Sequence, residues 1–360
     1  MAEILVVAAE ASADRYAGKV LEELSRRNPA LSFWGIGGDA CIRQGLTPVA
    51  HASDMAVMGL LEVLRHYRRI RKTYRSILRH CRENPVKAAL LLDYPGFNFP
   101  LMRKLHAMGI PVIYYICPQV WAWKEHRVQE LGRYAARRIV IFPFEVDFFR
   151  ERGVEADYLG HPLVEDIPPL SDVPPSGDRL ALLPGSRLQE VRRHFPLFLE
   201  VAGMDGISGF PPRLFPSPTL DPALYQPYLT RFGRRVEQER SFQNCRAALV
   251  ASGTATLEAA LHGVPSVVVY RLNPVSAMML RPMVRVDHIS IVNILAGKKI
   301  FPEFLQNEAQ PESIRQVLAP YLSEQRERRT MHEELKRVRS ILGENRVTPA
   351  LADLVLEYAA

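Results

Sequence analysis

The sequence predicts an α/β protein built from two doubly wound parallel-sheet domains, Rossmann-like and facing a cleft. Three observations predict it. Apolar runs alternate with amphipathic segments through the first half of the 360 residues, a proline-rich stretch interrupts the alternation, and the same alternation then resumes. Apolar runs without polar gaps mark strands covered on both faces, hence a parallel sheet with helices between the strands.

The candidate strands of the first block are ILVVAA (4–9), SFWGI (32–36), AALLLD (88–93), PVIYYI (111–116), RIVIFP (138–143) and DYLGHP (157–162). The stretch IPPLSDVPPSGD (167–178) carries four prolines and a glycine, and its 167–177 portion is the expected linker. It separates a first domain, 1–170, from a second, 178–344, whose strands are RLALLP (179–184), AALVAS (247–252) and SVVVYR (266–271). The segment 204–222, MDGISGFPPRLFPSPTLDP, fits neither helix nor strand, and 311–358 reads as helical throughout.

Composition narrows the class. Apolar residues at 48% and charged residues at 24% belong to a globular chain. The net charge of +7 favours an anionic partner, whether nucleic acid, an acidic membrane surface or a phosphorylated substrate. Cys41, Cys81, Cys117 and Cys245 form no C-x-x-C pair, the pattern of a reduced, cytoplasmic protein. The first residues, MAEILVVAAEASAD, lack the basic start of a secretory signal. No stretch reaches the roughly 18 consecutive apolar residues of a membrane helix.

Two turns suit a phosphate. In LLPGSRLQEVRR a buried strand ends in Pro184-Gly185-Ser186, and Arg187 stands at the start of a helix. Backbone N–H groups and a helix N-terminus there would receive an anion, and a guanidinium can grip a phosphate with two parallel bonds. The plain alternative is a capped turn with a solvated arginine. In VASGTATLEAALHGVP, Ser252, Gly253 and Thr254 repeat the arrangement, with Glu258 one turn on and able to accept from a ribose diol. Two such turns in one domain point to a diphosphate. No Walker A loop occurs, and Gly35-Ile36-Gly37-Gly38 has Ala40 where a dinucleotide fingerprint needs glycine. No D-x-D pair occurs either, so no metal site and no cofactor is expected, and a departing diphosphate would lean on Arg187 and helix dipoles.

In LLLDYPGFNFP, Asp93 ends a buried strand and is a candidate general base, against the alternative of a turn or helix cap. Glu10, Ser12 and Asp14 follow the first strand in a similar position, and His161 in LGHPLVED precedes the linker, where it would face the cleft. Basic charge concentrates at 60–79. Leu60, Leu64, Tyr67, Tyr74 and Leu78 share one helical face, and Arg65, Arg68, Arg69 and Lys72 lie mostly on the other. With Met58 and Leu61 of the preceding MAVMGLL, this helix suits an anionic lipid surface, unless it is core-packed with a solvated basic face. Aromatics are not interleaved with the basic face, so nucleic acid is not expected.

In order along the chain, VVAAEASAD, DMAVMGLLEVL, DYPGFN, PQVWAWKEHRV, FPFE, YLGHPL, LLPGSR, ASGTATLEAAL, YRLNP and SIVNILAG with FPEFLQ resemble the lipid-A-disaccharide synthases. The resemblance covers nearly the whole chain. It implies an inverting, metal-independent glycosyltransferase of the two-domain GT-B type at the cytoplasmic face of the inner membrane. Such an enzyme joins UDP-2,3-diacylglucosamine to 2,3-diacylglucosamine 1-phosphate, giving the β-1,6 disaccharide and UDP. It further implies Asp93 as catalytic base and Asn98 and Asn293 among the substrate-binding residues. The first domain would bind acceptor and membrane, the second UDP-sugar. A final helix near 345–360 would cross back to the first domain, and a homodimer exchanging C-terminal segments is compatible with the family.

Three departures stand out. The family commonly has glycine where Ala9 and Ala13 stand, and a methyl there narrows the turn unless the backbone is extended or helical. Gly96 replaces a second aspartate of some members, and 204–240 matches weakly. The rival readings are a UDP-N-acetylglucosamine 2-epimerase of the same architecture and a catalytically silent membrane-binding paralogue.

Overall fold

The computed structural model describes residues 2–55, 60–122, 124–272 and 288–359, with 60–66 as backbone only. Met58, Trp123, Asn273 and Pro274 lie outside the described residues, as do the side chains of Leu60, Leu61, Leu64 and Arg65. The chain divides into two compact units, Met1–Glu165 with Glu344–Ala360, and Asp166–Gly343.

The first unit is a seven-stranded sheet of β1 (Ala2–Ala8), β2 (Leu31–Gly37), β3 (Leu46–His51), β4 (Val86–Leu92), β5 (Val112–Tyr115), β6 (Arg137–Val140) and β7 (Asp157–Tyr158). Its order is β3-β2-β1-β4-β5-β6-β7, parallel at every pairing. β1 and β4 are apolar almost throughout because helices cover both faces; Ile4 to Ala8 and Ala88 to Leu92 are fully buried. β6 stops at Val140, short of the expected 143, because Pro143 begins a helix, Pro143–Arg150. β3 has no counterpart in the sequence reading. It is an edge strand with Thr47 and Pro48 exposed, so it lacks the apolar signature.

The last helix, Val347–Ala359, belongs to this unit. It packs on the helix Ala11–Arg27 and on β4, burying Val347, Leu351, Ala352, Leu354, Val355 and Ala359. Burial of each of the larger of these side chains is worth about 1.5–3 kcal/mol. Glu165 accepts from both the amide (3.2 Å) and the hydroxyl (2.8 Å) of Thr348 at its start. Gly160, at φ +121°, lets the chain pass close beneath it, since a Cβ there would stand 2.5 Å from the Asn345 carbonyl oxygen.

The second unit is a six-stranded parallel sheet ordered β10-β9-β8-β11-β12-β13. Its strands are β8 (Arg179–Leu183), β9 (Pro212–Leu214), β10 (Glu237–Gln238), β11 (Cys245–Ala251), β12 (Ser266–Tyr270) and β13 (Glu303–Leu305). β9 sits inside the segment that read as irregular. Three residues between prolines carry no periodicity, yet Ala181 pairs with Arg213 and Leu182 with Leu214. The helical C-terminal stretch divides into three helices, broken at Glu324 and at Gly343, whose φ is +68°. The proline-rich segment is tied down within this unit. Arg339 donates to the carbonyls of Ile167 (2.9 Å) and Pro168 (3.0 Å), His332 Nε2 meets the Ser171 carbonyl (2.7 Å), and Lys336 pairs with Asp172 (2.9 Å).

The basic helix, Leu60–Glu83, packs one face into the core and leaves its basic face exposed. Thr73, Ile77, Leu78 and Cys81 are buried against the sheet, and Tyr74 meets Phe97 edge-on with centroids 5.7 Å apart. Arg68, Arg69 and Lys72 are exposed on the other side, Arg69 paired with Asp54.

Candidate active site

In both units the sheet order reverses between the first strand and the fourth, the point where ligands of open α/β sheets collect beyond the carboxyl ends. β1 and β4 are neighbours with Ala8 opposite Leu92, so Glu10 and Asp93 emerge side by side. Burial first, and then the Glu10 charge, together raise the Asp93 carboxyl to about 7. A carboxyl at that value is poised to take a proton near neutral pH.

The turn that presents Asp93 is strained. Asp93 (φ +43°) and Tyr94 (φ +46°) are both left-handed, a conformation that costs about 1–3 kcal/mol per non-glycine residue. Surrounding bonds hold it. Asn98 donates its amide to the carbonyls of Leu92 (3.1 Å) and Asp93 (2.7 Å), Tyr114 donates its hydroxyl to the Asp93 carbonyl (2.7 Å), and Tyr94 reaches the Met55 carbonyl (2.8 Å). Asn98 is fully buried, and its amide holds the turn.

Asp14 also turns inward. Its carboxylate accepts from the backbone of Gly38 (2.6 Å), Ala40 (3.0 Å) and Cys41 (3.1 Å), capping the short helix Asp39–Arg43. Ser12, two residues before, is exposed. Ala13 is helical, and Ala9 has no positive φ; both are buried in the core, so neither methyl strains the turn. The objection raised by the missing glycines does not apply. His161, expected to face a cleft, is buried. Its Nδ1 accepts from the Leu163 amide (3.1 Å), its ring lies against Phe142 (centroids 5.5 Å), and burial lowers it to about 3.

Glu145 of the FPFE motif was not singled out in the sequence. It is fully buried, accepts from the amides of Ile141 (3.1 Å) and Phe142 (2.9 Å) and from the Trp121 indole (2.9 Å), and is raised to about 7 by burial. It locks the loop after β5 to the loop after β6. Glu145 is the third residue after Phe142, the spacing of a helix-start box without its Ser or Thr.

In the second unit, LLPGSR leads from β8 into the helix Leu188–Ala202, with Arg187 at its start and over half exposed. Two of the turn's amides are occupied. Glu190 Oε2 accepts from the amides of Ser186 (3.0 Å) and Arg187 (3.3 Å), so the backbone N–H groups expected to bind phosphate are not open here. His194, one turn on, donates from Nδ1 to the Pro184 carbonyl (3.2 Å) and accepts the Arg271 amide at Nε2 (2.9 Å). It is fully buried and lowered to about 4, first by burial, hence neutral; it joins this turn to the exit of β12.

The second turn is open among the described residues. Gly253, φ +129°, precedes the helix Thr254–Leu261 with no side chain capping it and no atom near the position of a Cβ. Thr254 is exposed, and Ser252 donates to the Ile289 carbonyl (3.4 Å). Glu258 pairs with Arg240 (3.5 Å), a cation the sequence reading passed over. Asn293 is fully buried and supports this region from behind. Its amide donates to Phe301 (2.8 Å) and Glu303 (2.9 Å), and its carbonyl accepts from Ile300 and Phe301 (both 2.8 Å). These four bonds make it a clamp. Asn293→Ala, which orphans those partners, should cost about 2–4 kcal/mol, measured by thermal unfolding.

A family model described as lipid-A-disaccharide synthetase matches residues 4–350. Among similar proteins, the lipid-A-disaccharide synthase of Geobacter metallireducens is 38% identical, covering 98% of this chain and 96% of its own length. That of Anaeromyxobacter dehalogenans strain 2CP-C is 40% identical over 98% and 97%. In fold the chain resembles the calicheamicin glycosyltransferase CalG4 (TM-score 0.60, 18% identity, 99% and 98% covered). It equally resembles a UDP-GlcNAc 2-epimerase from Neisseria meningitidis (TM-score 0.62, 11% identity, 99% of both chains). The architecture is thus common to transferases and epimerases, and the sequence match decides between them: this chain belongs to the lipid-A-disaccharide synthase family of glycosyltransferases.

Proposed function

We propose that the protein transfers 2,3-diacylglucosamine from UDP-2,3-diacylglucosamine to 2,3-diacylglucosamine 1-phosphate, giving the β-1,6-linked disaccharide 1-phosphate and UDP. The observation that carries this reading is Asp93, a carboxylate raised to about 7 on a strained turn at the carboxyl end of β4, in a chain matched to the family over 4–350. Ionised Asp93 takes the proton of the acceptor 6-hydroxyl as that oxygen attacks the anomeric carbon. The bond to the UDP oxygen breaks on the opposite face, its electron pair leaves with UDP, and the configuration inverts. Glu10 keeps Asp93 basic. Arg187 and the open turn at Gly253–Thr254 hold the diphosphate, with Ser252, Glu258 and Arg240 close to the nucleoside.

Turnover of the donor with radiolabelled acceptor in mixed micelles, with chelator and no added metal, tests the reading. A labelled tetraacyl disaccharide phosphate is expected. No product from folded protein that binds UDP would overturn it.

We assign the exposed Arg68, Arg69 and Lys72 to peripheral attachment at an anionic, cytoplasmic membrane face. Among the described residues no helix is long and apolar enough to cross a membrane. Reversal of the three charges to Glu should release the protein from anionic vesicles at low salt, each charge contributing about 1 kcal/mol. Unchanged co-sedimentation would reduce them to a solvated face.

A further inference from the structure

Glu190 stands where a phosphate would be expected. It is the third residue of the helix Leu188–Ala202, and one of its oxygens accepts from two successive amides of the LLPGSR turn, Ser186 at 3.0 Å and Arg187 at 3.3 Å. Its other oxygen lies 3.5 Å from the Arg187 guanidinium. The carboxylate is inset, its side chain 16% exposed against 56% for Arg187. Gly185 is shaped around it: at φ +114° a Cβ would meet Glu190 Oε2 at 2.5 Å and Glu190 Cβ at 2.6 Å. Among the described residues the second turn has no such occupant. Gly253 has no atom near its missing Cβ, and no side chain caps the helix that follows.

We infer that Glu190 is an internal anion that competes with the nucleotide's diphosphate at the LLPGSR turn and so sets how tightly UDP is held. This rests on the assignment of Arg187 to that diphosphate. Glu190 takes the two backbone donors, neutralises part of the Arg187 charge and adds like-charge repulsion to any phosphate drawn there. The turn therefore reads phosphate through the guanidinium, while the backbone donors come from the Gly253 turn. An enzyme that must release UDP after each transfer gains from a site that is not fully cationic. Glu190 is thus a positioning and affinity-setting residue, not a catalytic one.

Glu190→Gln tests this, because its amide oxygen can still accept from Ser186 and Arg187 while the charge is gone. UDP should bind about tenfold tighter, and UDP should inhibit turnover at correspondingly lower concentration. Uridine, which carries no phosphate, should bind unchanged; a purely structural defect would move both ligands together. Glu190→Ala, which frees the two amides as well, should tighten UDP at least as far and settles the matter if the Gln variant folds badly. In an Arg187→Ala background the gain from Glu190→Gln should shrink. Equal or weaker UDP binding in folded Glu190 variants overturns the competition. If Arg187→Ala alone leaves UDP affinity untouched, the premise that the diphosphate lies at this turn is what fails.

Discussion

Asp93→Asn should leave a folded protein that binds UDP normally and turns over about a thousandfold or more slower, the scale of a lost general base. Asparagine is the informative replacement because it tolerates the left-handed φ of +43° and keeps the shape of the carboxyl while losing its basicity. The same variant should be more stable than the parent, and the sign follows from linkage. The carboxyl is raised from 3.8 to about 7 by burial and by Glu10, so the folded chain holds this proton more tightly than the unfolded chain. Folding is therefore least penalised below about pH 4, and stability is lost as pH rises through 7. Above that range the asparagine should add up to about 4 kcal/mol, and below pH 4 almost nothing. In the parent the acid limb of the rate profile should fall near 7. Glu10→Gln removes one of the two causes of the shift and should move that limb to lower pH. Retained turnover in Asp93→Asn would end the assignment. An acid limb that ignores Glu10 would separate the two carboxylates.

Much of the architecture is legible in the chain, because central parallel strands must be apolar on both faces. Ile4–Ala8, Ala88–Leu92 and Ala247–Ala251 announce themselves that way. β3, β9, β10 and β13 do not. They are two to six residues long and lie toward the sheet edges, and Pro48 and Pro212 break any pattern. The site divides along a similar line. Asp93 is visible because it ends an apolar run, and Arg187 because Pro-Gly-Ser precedes it. Yet Asp14, Asn98, His161 and Asn293, read as ligand contacts, turn inward to satisfy loop backbone or lie buried. Loops at strand ends have lost their ladder partners, so their N–H and C=O groups must bond to side chains drawn from the same short motifs that serve the ligand. One sequence cannot separate the two duties. Glu190 offered one signal, an acid three residues beyond the helix start, whereas His194 and Arg240 offered none.

Arg187→Ala should leave thermal stability nearly unchanged, since an exposed pair such as Arg187 with Glu190, 3.5 Å apart, is worth about 0–1 kcal/mol. Any large kinetic effect therefore reports on the ligand. The turnover number should fall about 10²–10³-fold, the usual effect of removing one donor aimed at developing negative charge. UDP should also bind more weakly, and uridine no differently. Arg187→Lys should rescue charge but not the two-pronged grip, giving an intermediate rate. Kinetics near those of the parent would return Arg187 to a solvated helix cap. The expected loss is large for a structural reason. In many phosphate-binding turns the main chain supplies most of the grip and a lost side chain is partly covered. Here Glu190 already holds the amides of Ser186 and Arg187, so those two backbone donors are not free to cover for the guanidinium once it is gone.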